Sequence, residues 1–394
     1  MQEFGHSEEF EKAFAYVAEK LFSRKTNLIY DHIVSGREQS FPTPEEIQLS
    51  FPNPCGYSTG MEDGMINGAT MLDAVLLKYE KNGDLFAADF AGRLVKGMLN
   101  CAFSAKTEGF LPRAVAVSDG RSHYPDSSRD QYTMFAFGMH RYLRSPLCTS
   151  CERERIAAVA VAIARRAERN VTADNGYDML TDDNRPTLVN IMWGDSIGNH
   201  EYLRLPMLYL LAFEASGDGC WLDKYRKIRQ EAYEKSLPMG EYWHLYALQQ
   251  MQASALVCYD LDPDIEWKAQ YLFLMNTVAD YADSLTQEVR AAIAAHSNYN
   301  APQLSFRDLS VVPAERFQVL GYADAVSLVC DDMADFFVLQ DGAQVAIISG
   351  LVPGRKVAEE TVSLLWEAFD RIDLSKHQRN LPLFFLDGYY RVLI

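Results

Sequence analysis

Gly60-Met61-Glu62-Asp63-Gly64 sets two adjacent carboxylates between glycines, immediately ahead of a strongly helical stretch. Carboxylates so placed can cap exposed backbone N–H groups, and the positive end of the helix dipole favours their charge. A cap uses one carboxylate, so capping accounts for one of the two and leaves the other for a ligand, which the flanking glycines let approach the backbone. A further carboxylate stands at a helix start in Ser127-Ser128-Arg129-Asp130-Gln131-Tyr132, after the loop Gly109-Phe110-Leu111-Pro112-Arg113. Ser127 or Ser128 can supply the cap there, which frees Asp130. Arg129 can then hold Asp130 ionised, and Tyr132 offers an aromatic platform. Acid/base cleavage of a glycosidic bond needs this combination. One carboxyl keeps a proton for the leaving oxygen, and another is ionised to activate water or attack carbon.

Two more clusters carry side chains suited to sugars. Asn190-Ile191-Met192-Trp193-Gly194-Asp195-Ser196-Ile197-Gly198-Asn199-His200-Glu201 gathers an aromatic face with hydroxyl-reading groups, and Glu241-Tyr242-Trp243-His244 opens the next helical stretch in the same relative position. Singly, Trp243 or His244 reads as packing. Four helix entrances with one chemistry read instead as a site whose parts converge.

Other chemistries are excluded. His200 and Glu201 lack a second histidine four residues on, and no GxSxG elbow, P-loop or strand-linked GxGxxG occurs. Cys148-Thr149-Ser150-Cys151 has no second pair to complete a metal site, so it reads as two thiols at a helix turn. The 7 cysteines are scattered and form no disulfide framework. No metal and no cofactor is expected. With 37 basic and 54 acidic side chains the formal charge is -17, which repels phosphate backbones, so nucleic acid is not an expected partner. No apolar run approaches the about 20 residues that cross a bilayer, so no membrane insertion is expected. The opening residues MQEFGHSEEFEKAF do not read as a signal peptide. The chain as written is expected in the cytoplasm, or in the periplasm if a leader has been removed.

The elements that must position these groups are helices. Met65, Ala69, Leu72, Leu76 and Tyr79, like Trp267, Tyr271, Leu274, Val278 and Tyr281, recur at helical spacing, and strand alternation is rare. The spacing predicts about twelve helices, over 7–23, 64–81, 85–104, 129–143, 152–170, 200–215, 219–236, 241–259, 264–284, 286–296, 322–340 and 355–371. Tight links at Asn82-Gly83-Asp84, Ser216-Gly217-Asp218 and Asp260-Leu261-Asp262-Pro263 make αα-hairpins. Between hairpins run the long loops 105–128, 171–199 and 297–321, of the length that usually carries function. Alternating short and long connections put the long loops at one end of the stack, the geometry of an all-α (α/α)6 toroid, here a single domain over 1–394. A superhelical array would show a fixed repeat period, and none is present. Residues 25–61, with Pro42, Pro44, Pro52 and Pro54, are expected to pack as an extended segment across the loop face.

In its GMEDG, GFLPR and SSRDQYTMFAFGMHRY motifs and its paired links, the chain resembles the six-hairpin glycosidases. The resemblance is nearest to the glycosyl-hydrolase-like proteins of gut Bacteroidetes and more distant to the unsaturated glucuronyl and rhamnogalacturonyl hydrolases. It implies a carbohydrate substrate and catalysis by two aspartates from successive inner-helix entrances, roles that fall on Asp63 and Asp130. The expectation is a glycoside hydrolase with Asp130 as general acid/base and Asp63 or Glu62 as the second carboxylate. Arg113, Arg129, Tyr132, Trp193, Asp195, His200, Trp243 and His244 would bind the substrate. The competing expectations are a toroid that binds glycans or a protein partner without cleaving them, and a polysaccharide lyase or sugar epimerase on the same ring.

Overall fold

The computed structural model describes residues 6–49, 53–57, 59–237, 244–295 and 333–393. Among these the regular structure is helical, with four isolated β-bridges and no sheet. In chain order the α-helices are α1 (Ser7–Tyr16, continued by a π-turn Val17–Leu21), α2 (Pro44–Gln48), α3 (Gly64–Asn82), α4 (Leu85–Ala102), α5 (Arg129–Arg144), α6 (Ser150–Asn170) and α7 (Arg204–Ser216). They continue as α8 (Gly219–Ser236), α9 (Leu245–Leu261), α10 (Ile265–Ser284), α11 (Thr286–Ala295), α12 (Met333–Gly350), α13 (Glu359–Phe369) and α14 (Pro382–Val392).

The packing closes a ring. Helix α3 packs on α5, α5 on α7, α7 on α9, α9 on α12, α12 on α14, and α14 back on α3. The helices α4, α6, α8, α10, α13 and α1 lie outside them. The tight Gly83 and Gly217 links, both left-handed, join an inner helix to its outer partner. Only glycine takes that conformation without strain. Longer segments lead back inward, so the inner helices run parallel and start on one face. The chain is thus the all-α toroid expected of the alternating links.

Local sequence explains the outer helices well. Asp84 accepts from the N–H groups of Phe86 and Ala87, Thr149 forms a capping box with Glu152, and Asp218 accepts from Cys220 N–H. The inner helices α3, α5, α7, α9 and α14 start with no side-chain cap of their own.

Several boundaries differ from the expectations. Helix α7 begins at Arg204 because Asn199–Glu201 form a 3-10 turn in which Glu201 reaches back to Gly198 N–H at 2.8 Å. The expected 322–340 helix lies partly outside the described residues, and α12 runs on to Gly350. The loop 297–321 and the cluster Glu241-Tyr242-Trp243 also lie outside them. Helix α14 has no counterpart among the expected elements. Its run Pro382-Leu383-Phe384-Phe385-Leu386 is buried on every side, so it shows no polar stripe from which a period could be read.

At the end of the ring away from the inner-helix starts, charged side chains tie helix to helix. His140 on α5 lies 2.8 Å from Glu214 of α7 and 3.0 Å from Asp260 of α9. Burial lowers its pKa, but the two carboxylates outweigh burial and the net shift is upward. Arg141 reaches Asp73 at 2.7 Å, and Arg391 of α14 pairs with Asp73 and Asp387. No helix among the described residues is long and apolar enough to cross a membrane.

If α14 closes the ring, truncating its fully buried Phe385 should cost about 3–5 kcal/mol of stability in denaturant unfolding of Phe385→Ala. A loss below about 1 kcal/mol would mean that α14 is not part of the core.

Candidate active site

A cavity of about 490 Å³ opens at the face where the inner helices begin, and all six contribute to its wall. Residues Asp31, His32, Tyr57 and Gly60 of the preceding segment complete one side. A bridge between His32 and Arg379 fastens that segment to the stretch leading into α14.

Asp31 accounts for the conformation of the first carboxylate pair. Its Oδ2 accepts from the backbone N–H of Glu62 at 2.8 Å and of Asp63 at 3.4 Å, while its Oδ1 accepts from Asn67 Nδ2 at 2.8 Å. Asn67 is fixed in turn by Asn380 Nδ2, at 2.8 Å. The start of α3 is therefore capped by a residue from a distant segment, and the Asp63 side chain, at the N-cap position, makes no capping bond. Instead Asp63 accepts from Gln131 Nε2 at 2.9 Å and faces Arg113 Nη1 at 3.9 Å. Gln131 also accepts from Met65 N–H at 3.1 Å, which locks the starts of α3 and α5 together. Glu62 is buried in the cavity wall, and its carbonyl accepts from both Arg113 and Gln131.

On the next inner helix Asp130 pairs with Arg204 of α7, and Arg129 pairs with Glu201. Arg204 also lies 3.8 Å from Glu201. The two aspartates therefore titrate in opposite directions. Burial pushes Asp63 up to about 6, with the Asp130 charge adding to the effect and Arg113 and Gln131 opposing it. Burial and the neighbouring Asp63 charge push Asp31 up to about 7. Burial also acts to raise Asp130, but Arg204 and Arg129 outweigh it and hold Asp130 below the usual carboxylate range. His200 is lowered to about 4, by burial first and by Arg204 and Arg129, so its imidazole is neutral.

Of the residues the sequence singles out, Glu62, Asp63, Arg113, Arg129, Asp130 and His200 meet at this cavity. Four others that are described do not line it. The buried Tyr132 turns away, accepting from Leu111 N–H at 3.0 Å, and so holds the Gly109–Arg113 loop in place. Trp193 packs edge-on against Tyr202. Asp195 is 99% exposed and pairs with Lys235 at 3.3 Å, because the 171–199 loop folds outward over α8. His244 is exposed at the start of α9 and stacks on Tyr246, which itself reaches the cavity. Trp243 lies outside the described residues.

Residues without any sequence expectation complete the wall. They include Asp31, Arg379, Asn380 and Tyr246, the glutamines Gln249, Gln250, Gln340 and Gln344, and Phe336, Phe337 and Phe384. Asp31 carries no signal in an irregular segment. Gln340 and Gln344 carry one, since they stand four apart in the largely apolar helix α12 and so share a face.

The chain matches no protein-family model, no curated protein and no solved structure.

The raised carboxyl pair sets a sign for stability against pH. A carboxyl whose folded pKa is raised contributes stability that is fully present below its unfolded value, about 3.9, and is lost as pH rises through the folded value. Asp63→Asn removes that term and keeps an acceptor for Gln131. Melting temperature should therefore fall less between pH 4 and pH 7.5 in Asp63→Asn than in the wild-type protein. Parallel curves would show that the pair is not raised.

Proposed function

We propose that the protein is a glycoside hydrolase acting on an oligosaccharide, with its reaction carried by Asp63 and Asp130 across the cavity. The observation that carries this reading is the contrast in surroundings of the two carboxyls at one cavity, Asp63 buried with Gln131 as its donor and Asp130 paired with Arg204. Such surroundings shift two carboxyls in opposite directions and so divide acid from base. Asp63 keeps its proton and donates it to the leaving glycosidic oxygen. Asp130 stays ionised and takes a proton from the water whose oxygen bonds to the anomeric carbon as the glycosidic C–O bond breaks. The electrostatics favour this division over one in which Asp130 is the acid, because a carboxylate paired with Arg204 gives up its proton at a lower pH than the buried Asp63 does. Arg113, Gln131 and Asp31 position Asp63, and neutral His200 and Arg129 are hydrogen-bonding groups for substrate.

A second reading, a toroid that binds glycans without cleaving them, is favoured by the same Arg204 contact and by the Arg129–Glu201 pair, which satisfy two of the carboxylates.

The two readings separate on a panel of oligosaccharides. In the hydrolase, Asp63→Asn and Asp130→Asn should each lower kcat/KM by roughly 10²–10⁴ with melting curves that still show a folded protein. Wild-type kcat/KM should decline as pH rises past about 6, as Asp63 loses its proton. Equal activity in wild type and both variants would sink the assignment. Saturable binding with no turnover would leave the binding toroid, and an ultraviolet-absorbing unsaturated product would mark a lyase.

A further inference from the structure

The cavity wall is chemically divided. Its charged groups come from α3, α5, α7 and the segments leading into them, with Arg379, ahead of α14, as the exception. The wall formed by α9, α12 and α14 presents four buried glutamines, Gln249, Gln250, Gln340 and Gln344, with Phe336 and Phe384 beside them. Gln344 is 1% exposed and Gln250 5%, yet the Oε1 of each has no hydrogen-bond partner among the described residues. A buried amide oxygen left unpaired costs about 1–3 kcal/mol, so natural structures keep few of them without a reason.

We infer that this half of the cavity is a subsite for an uncharged, hydroxyl-rich sugar unit, recognised by Gln250 and Gln344 and stacked on the flanking phenylalanines. The inference rests on the reading of the cavity as a sugar site and adds the class of unit that it takes. Sugar hydroxyls are donors that match unpaired amide oxygens. Phenylalanine rings cover the apolar C–H faces of a pyranose. A carboxylate or sulfate placed against Gln250 and Gln344 would meet their amide oxygens and the aromatic faces, which is unfavourable in a buried site, and Arg379 lies at the edge of this wall beside Asn380. Charged units are thereby directed to the arginine-bearing half. The bond cleaved lies between the two halves, beside Asp63 and Asp130.

The subsite makes an unusual demand on mutants. Replacing Gln344 by leucine removes an orphaned acceptor and adds apolar burial, so a site kept for ligand should lose affinity without losing stability. The full-length protein is titrated calorimetrically with the methyl glycosides of glucose, galactose and mannose, and with methyl glucuronide as the charged control. At least one neutral glycoside should bind, and Gln344→Leu and Gln250→Leu should each weaken it by about tenfold. Both variants should melt at or above the wild-type temperature. Failure of all neutral glycosides to bind, equal binding by the variants, or a loss of binding that accompanies a lower melting temperature in both would overturn the subsite. If one leucine variant does not fold, the other carries the test. Glutamine-dependent binding without turnover of any oligosaccharide would overturn the hydrolase reading alone, whereas turnover unaffected by either leucine would overturn the subsite alone.

Discussion

Parallel inner helices bring their starts to one face, and each start has backbone N–H groups that its own helix cannot satisfy. Where those donors find acceptors governs much of what lies at the cavity. At α3 the acceptor is Asp31, thirty-one positions ahead of Glu62, and for Met65, in the same first turn, it is the Gln131 amide from α5. Because the cap comes from elsewhere, Asp63 is released from the duty its position would otherwise impose. It can then keep a proton that a capping carboxylate would lose. The outer helices, with Asp84, Thr149 and Asp218 as local caps, show the ordinary solution. The inner ones depart from it on the face where the cavity lies.

Charge is organised along the ring axis as well. The inner-helix starts present the positive ends of their dipoles to the cavity, which favours carboxylates there. At the other end, His140, Arg141 and Arg144 sit in the last turns of α5. Cations are favourable there, and each reaches a carboxylate on a neighbouring helix. These pairs tie neighbouring inner helices to one another at the end away from the cavity, leaving the cavity end to be shaped by the segments that enter it. Within the cavity, Arg204 separates the fates of two otherwise similar aspartates. It holds Asp130 ionised and leaves Asp63 to burial.

Much of this was legible in the sequence, for definite physical reasons. Gly83-Asp84 and Gly217-Asp218 combine a left-handed C-cap with an N-cap, a signature that needs no tertiary information. Asp63 and Asp130 were legible as carboxylates at helix starts after long segments. Asp31 was not, since its role depends on a fold-back onto Glu62 and Asn67. Tyr132 was misplaced because two positions along a helix from Asp130 is about 200° of rotation, which points its ring away from the cavity and onto the Gly109–Arg113 loop. Trp193 and Asp195 share a loop with His200 and Glu201, and nothing in their order shows that the loop turns outward before the 3-10 turn brings the last two back. Helix α14 escaped notice because amphipathic periodicity exists only where one side of a helix meets water.

The hydroxyl of Tyr16 donates to the carbonyls of His377 and Arg379, so the seam of the ring joins positions 361 and 363 apart. Closing so long a loop is entropically slow to begin, even though the free-energy cost grows only with the logarithm of its length. Hairpins such as α3–α4 and α7–α8 can form early from neighbouring residues, while the cavity needs Asp31, Asn67 and Asn380 in register. Loop-closure entropy thereby favours an order in which the hairpins form before the seam. Until the seam closes, the chain can hold most of its helix content with its cavity wall still incomplete.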